Sequence, residues 1–210
     1  MITPAEYLIN PCGLLSIPYW KAKIVKIPPD MRIVHDRDYC ANSCAEYADT
    51  RYFRLSHSLK TINVPQLSDY ALKTVELSDF PTLVAVINRS YTDLQVDRTQ
   101  LLRYTKTSVY APHLWVLVQR KSTGECVGAG IADLDAELGE LILEWIQVLP
   151  EYRRRGIGRA IVGELLARGK AEASFATVSG KCDDPTAPEA LYRACGFTGN
   201  DVWHVLRIRR

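Results

Sequence analysis

Arginine and glycine crowd one short window, Arg153-Arg154-Arg155-Gly156-Ile157-Gly158-Arg159. An apolar run, Leu141–Val148, precedes it and stops at Pro150. Apolar residues at Ile157, Ile161, Val162, Leu165 and Leu166 follow at helical spacing. Such a strand–turn–helix junction makes an anion site. The first N–H groups of a helix have no intrahelical acceptor and sit at the positive end of its dipole. Glycines let a phosphate reach the backbone without a Cβ in the way. Arginines add charge and paired donors. A pyrophosphate fits this description. A Walker loop needs G-x-x-x-x-G-K-[ST], and no such string occurs. A dinucleotide loop needs a small residue where Gly156-x-Gly158 is followed by Ile161 and Gly128-x-Gly130 by Asp133. What remains is R-x-x-G-x-G after a strand and a proline.

The elements that must position this window are legible around it. Tyr70–Leu77 alternates as a strand. Ser78 reads as the N-cap of a helix with Phe80, Leu83, Val84 and Ile87 on one stripe, and Asp97 as the cap of a second helix to Tyr104. His113–Arg120, Cys126–Asp133 and Leu141–Val148 are strands, with a turn at Lys121–Glu125. Gly156–Arg168 is a helix that Gly169 terminates. Phe175–Ser179 is a strand. Thr186-Ala187-Pro188-Glu189 reads as a capping box opening a helix to Cys195, which Gly196 ends. Trp203–Ile208 closes the chain as a strand. The order β-α-α-β-β-β-α-β-α-β predicts an α/β chain of the α+β type, with a mixed, mostly antiparallel sheet flanked by helices.

Residues 1–66 read differently. Pro4, Pro11, Pro18, Pro28 and Pro29 predict mostly irregular structure over residues 1–30, and Pro65 closes the segment. Arg32–His35 and Arg51–His57 read as strands, with a short helix over Asp36–Ala48 between them. That helix sets Cys40 and Cys44 on one face as small buried residues. The aromatics Tyr7, Tyr19, Trp20, Tyr39, Tyr47, Tyr52 and Phe53 predict that the segment packs as an N-terminal extension on the main domain, 67–210.

Two motifs together resemble the GNAT superfamily of acetyl-CoA-dependent N-acyltransferases. One is V-x-P-x-Y-R-x-x-G-x-G, here Val148-Leu149-Pro150-Glu151-Tyr152-Arg153 through Gly158. The other is A-L-Y-x-x-x-G-F, here Ala190-Leu191-Tyr192 through Gly196-Phe197. The resemblance covers about residues 67–210. It implies an acyl-CoA N-acyltransferase fold and transfer of an acetyl group from acetyl-CoA to a primary amine, with no metal. It also implies that the strand before the loop bulges, and that backbone groups of Ile146 and Val148 pair with the pantetheine arm. Arg153, Arg154, Arg155, Gly156, Ile157, Gly158 and Arg159 then form the cofactor loop. Tyr192 protonates the leaving thiolate. The family often has Asn seven residues before this Tyr. Pro185 stands there, leaving Asp183, Asp184 or Thr186 to substitute.

Amine attack needs a base. If the strand alternates, Glu140, Ile142, Glu144, Ile146 and Val148 share one face, and Glu144 lies nearer the proposed reaction centre than Glu140. Gly128-Ala129-Gly130 gives the adjacent strand a flat surface that admits a ligand or backbone, or marks a bulge. His113 and His204 read as structural, and Arg207, Arg209 and Arg210 as a solvated basic end. Acceptor choice is expected in loops, at Asp93–Tyr110 and Gly196–Asp201.

Composition bounds the alternatives. The chain has 210 residues, 47% hydrophobic and 24% charged, with 26 basic and 24 acidic side chains. A formal net charge of +2 argues against a nucleic-acid partner. None of the six cysteines form C-x-x-C. No signal peptide or long apolar run is visible, so a cytoplasmic protein without membrane contact is expected. The acceptor is a small molecule or a peptide amine, and a homodimer is compatible with the reading. The alternative is a non-catalytic coenzyme-A-sensing module whose N-terminal segment binds a partner.

Overall fold

The computed structural model describes residues 2–91 and 95–209. In chain order its elements are α1 (Pro4–Ile9), α2 (Pro11–Leu14), α3 (Tyr19–Ile24), β1 (Met31–His35), β2 (Tyr47–His57) and β3 (Tyr70–Thr74). Next come α4 (Phe80–Ser90), α5 (Arg98–Tyr104), β4 (Trp115–Arg120), β5 (Cys126–Asp135) and β6 (Glu140–Val148). The chain closes with α6 (Ile157–Gly169), β7 (Phe175–Lys181), α7 (Pro188–Ala194) and β8 (Thr198–Ile208). From β3 onward the order is the expected one, and the class is the expected α/β, mixed and mostly antiparallel.

Three of the five prolines of residues 1–30 start helices instead of preventing them. Pro4 and Pro11 open α1 and α2, and Pro18 is the N-cap of α3. A first-turn residue has no use for its N–H, and the fixed φ of proline suits that position. Thr3 and Glu6 close a capping box on α1, and the Asn10 side chain accepts from the Gly13 N–H at 3.0 Å. The helix expected over Asp36–Ala48 is instead two short 3-10 turns, Asp36–Asp38 and Ala41–Cys44. Asp and Asn there compete with the backbone for its hydrogen bonds and favour turns. Cys40 is exposed and Cys44 half-buried, so they are not a buried pair.

Two compact units divide the chain: residues 2–57 with 177–209, and residues 58–176. In the first, the strands run in the order β1-β8-β2-β7. β8 pairs antiparallel with β1 through Val34↔His204 and with β2 through Tyr52↔Trp203. Tyr7, Phe53, Leu55, Phe197 and Leu206 are buried there. The Trp203 ring N–H donates to the Cys12 carbonyl at 2.8 Å, which fastens α2 to β8. His204 is buried. Its Nδ1 lies 2.7 Å from Asp49 and its Nε2 3.1 Å from Asp36, and its ring stacks on Tyr39. Arg209 is no free tail residue, because its Nε donates to the Tyr47 carbonyl at 3.0 Å. Arg210 lies outside the described residues.

In the second unit the order is β6-β5-β4-β3, every neighbouring pair antiparallel. On one face, α4 buries Phe80, Leu83, Val86 and Ile87 in a core that includes Trp115, Leu117, Ala129 and Ile131. A 3-10 turn, Leu77–Asp79, precedes α4, so Ser78 sits inside a turn and Asp79 at the cap. Asp97 caps α5 with Gln100 as expected. On the other face, α6 packs its buried Ile157, Ile161, Val162, Leu165 and Leu166. A Cβ on Gly130 would run into Ile161 and lie 3.0 Å from Leu165. The small residues of β5 therefore seat α6, and the flat surface takes a helix, not a ligand. Gly169 is the last helical residue, followed by Lys170 in right-handed geometry. A side chain there would meet Leu141 at 2.7 Å, so Gly169 serves close packing and not chain reversal. No helix of the described residues is long and apolar enough to cross a membrane.

Candidate active site

β6 is bulged at Glu144. Ile131 faces Trp145, but the next β5 residue, Ala132, faces Leu143, so Glu144 is the unmatched residue. A bulge reverses which face the following residues take. Leu141 points at Gly169 of α6, and Ile146 is paired with Gly130, which abuts α6. Ile146 and Val148 therefore lie on the α6 face, and Glu140, Ile142, Glu144, Ile146 and Val148 do not share one. Glu140 is fully buried opposite Asp135, at the far end of the strand from the loop.

The register also fixes where the β6 main chain points. The Leu149 N–H donates to the Val127 carbonyl at 2.9 Å. Hydrogen-bonded and non-bonded pairs alternate along an antiparallel ladder. Val148↔Gly128 and Ile146↔Gly130 are thus non-bonded pairs, and both residues turn their N–H and C=O away from β5. The Arg153 Nε donates to the Val148 carbonyl at 3.1 Å, and its Nη2 donates to the Ser90 carbonyl at 3.1 Å.

From there the chain turns through Pro150–Tyr152 into α6. Arg154 and Gly156 both have positive φ, at 64° and 80°. Gly156 is the N-cap, and a left-handed cap suits glycine. Near its missing Cβ the only heavy atom among the described residues is a Leu67 methyl at 3.8 Å. The arginines divide into two pairs. Arg153 ties the loop to β6 and α4, and Arg155 donates to the Glu151 carbonyl at 3.1 Å while lying over the Tyr152 ring. The exposed Arg154 and Arg159 have no hydrogen-bond or ion-pair partner among the described residues. Two uncommitted guanidinium groups, a left-handed glycine and the start of a 13-residue helix fit a diphosphate.

On the opposite face from α6, Glu144 and Trp145 line a cleft with Tyr104, Trp115, Ile131 and Asp133. The sequence reading found Glu144 but not the other five. A visible signal was Asp133, an acid inside a strand whose other charged residue, Asp135, is its last. Of the loops expected to choose the acceptor, Asp93–Tyr110 contributes Tyr104, and its first two residues lie outside the described residues.

Residues 111–199 match the Acetyltransferase (GNAT) domain family. The fold of a GCN5-related N-acetyltransferase from Sphaerobacter thermophilus is similar, with a TM-score of 0.74 at 16% identity over 86% of this chain and 60% of that one. A GCN5-related N-acetyltransferase from Kribbella flavida has a TM-score of 0.58 at 16% identity, over 86% of this chain and 68% of that. The glucosamine N-acetyltransferase region of a fungal multi-domain β-N-acetylglucosaminidase has a TM-score of 0.59 at 13% identity, over 76% of this chain and 21% of that. This chain thus spans less than two thirds of the Sphaerobacter protein. No curated protein sequence matches it.

The GNAT match takes in both motifs. Tyr192 lies on α7 in the first unit, buried, with its ring 6.1 Å from Phe53 and 5.7 Å from Phe197. The expected Thr186 capping box is absent from α7. Ala187 is the cap, left-handed at φ 51°, because Asp184 holds both the Thr186 N–H (2.8 Å) and its hydroxyl (2.6 Å). Asp183 pairs with Arg51 at 2.9 Å. Each residue near Pro185 that could replace the family Asn thus has a partner already.

Proposed function

We propose that this chain is an N-acetyltransferase that moves an acetyl group from acetyl-CoA directly to a primary amine. The observation that carries the reading is the bulge at Glu144, followed by two residues whose N–H groups turn away from β5 on a strand that enters the cationic glycine turn. The N–H groups of Arg154 to Arg159, with the Arg154 and Arg159 side chains, hold the diphosphate. Ile146 and Val148 offer main-chain groups to the pantetheine arm, and the Val148 N–H is a donor for the thioester oxygen. Acetyl-CoA supplies the acyl group as a thioester whose sulfur can leave as a thiolate.

The acceptor arrives as an ammonium ion. Glu144 takes one proton from it, directly or through a water. The neutral nitrogen then bonds to the acyl carbon as the carbon–sulfur bond breaks, and it loses its second excess proton. Tyr192, in the role the resemblance gives it, supplies a proton to the sulfur. The products are an amide and a free thiol, with one proton released overall.

The test is thiol release from acetyl-CoA with amino acids, polyamines, aminoglycosides and peptides as acceptors. Release that depends on an amine is expected. Tight binding of acetyl-CoA with no release above background for any amine would favour a coenzyme-A-sensing module instead.

A further inference from the structure

We infer that the cleft beside Glu144 binds the acceptor, and that the acceptor is a primary amine with a flat apolar body and no carboxylate. The inference rests on the proposed acetyl transfer and names the substrate class for that site. Glu144, the residue displaced by the β6 bulge, lines the cleft, so a bound amine lies against the carboxylate that takes its proton.

Three rings shape the space. Tyr104 and Trp145 meet edge to face at 5.4 Å, with Tyr104 exposed at the rim. Trp115 forms the buried wall, held by Tyr110 edge-on at 5.3 Å and Phe80 stacked at 5.9 Å. Such rings favour a flat apolar body, and their faces attract an ammonium group. Asp133 is 4% exposed and lines the same cleft, so two carboxylates bear on the occupant. They attract a cation and repel an acceptor that carries its own carboxylate, which separates an amine from its parent amino acid. The Trp115 ring N–H is buried and has no hydrogen-bond partner among the described residues. It is a donor available to a hydroxyl or water that accompanies the occupant.

The experiment compares 2-phenylethylamine with phenylalanine and glucosamine, by thiol release with acetyl-CoA and by calorimetric titration of each amine into the protein. The expected result is a kcat/KM for 2-phenylethylamine at least tenfold above either competitor. Asp133→Asn should raise its KM at least fivefold with acetyl-CoA affinity unchanged. Trp145→Ala should weaken its calorimetric binding at least tenfold, and Tyr104→Ala, at the exposed rim, gives the same reading if Trp145→Ala does not fold. Absence of acetyl-CoA binding would overturn the acetyl-transfer reading, and the amine titration would still decide the cleft. Acetyl-CoA turnover with another amine, but no preference for 2-phenylethylamine over phenylalanine, would overturn this inference alone.

Discussion

Amide formation from an ammonium ion and a thioester needs one proton removed early and one delivered late, and Glu144 and Tyr192 are the residues proposed for these tasks. Tyr192→Phe isolates the second. The ring sits among Phe53 and Phe197, so a phenylalanine keeps that packing and removes only the hydroxyl. The expected outcome is an unchanged acetyl-CoA affinity and a kcat lowered by roughly 10²–10⁴, the range for losing a positioned acid. Wild-type kcat in a folded variant, with chemistry limiting, would reduce Tyr192 to a core residue. At this scale the sequence showed which residue types gather, but not how they divide their work. Arg153 and Arg155 are bound to backbone carbonyls while Arg154 and Arg159 are not, and four arginines within residues 153–159 read the same either way. Trp115, Tyr104 and Trp145 went unread as site residues because an aromatic in a strand or helix is ordinarily core.

Among the elements, β6 departs furthest from its sequence pattern. Nothing in Glu-Leu-Ile-Leu-Glu-Trp-Ile-Gln-Val marks an interruption of the strand. The bulge shows only in the pairing with β5, where consecutive Ile131 and Ala132 face Trp145 and Leu143, and that partner is not written in β6 itself. The anion loop was legible, because glycine and arginine at a strand–helix junction have few other uses. The proline-opened helices of residues 1–30 were not, since a proline ends one element and begins another with the same letter. Gly128 and Gly130 were legible as a flat strip, but not what covers them. That cover makes a prediction. Gly130→Ala puts a methyl into Ile161 and against Leu165, where α6 and β5 meet. Overpacking of this kind costs roughly 1–3 kcal/mol. Urea unfolding should show a lower midpoint with an unchanged slope. An unchanged or higher midpoint would mean that α6 does not press on β5 as described.

At the scale of the whole chain, the order of elements from residue 70 onward followed from periodicity alone, because hydrophobic spacing and turn residues are local signals. Strand partners are not local. Nothing in the pattern of β8 says that it pairs with β1 on one edge and β2 on the other, which brings residues 2–57 and 177–209 into one unit. Once that pairing is known, the lone His204 has a reason: its two ring nitrogens face Asp49 and Asp36, contributed by segments far from it in sequence. The central claim, that the turn at Arg154–Arg159 binds acetyl-CoA, stands in the other unit. Calorimetry of acetyl-CoA binding to the wild-type chain and to Gly158→Val tests it most directly. A branched side chain in the first turn of α6 stands where the diphosphate must approach the backbone. The account predicts saturable binding by the wild type and at least a tenfold loss of affinity in a Gly158→Val protein shown to be folded. Equal affinity in the two folded proteins would contradict it.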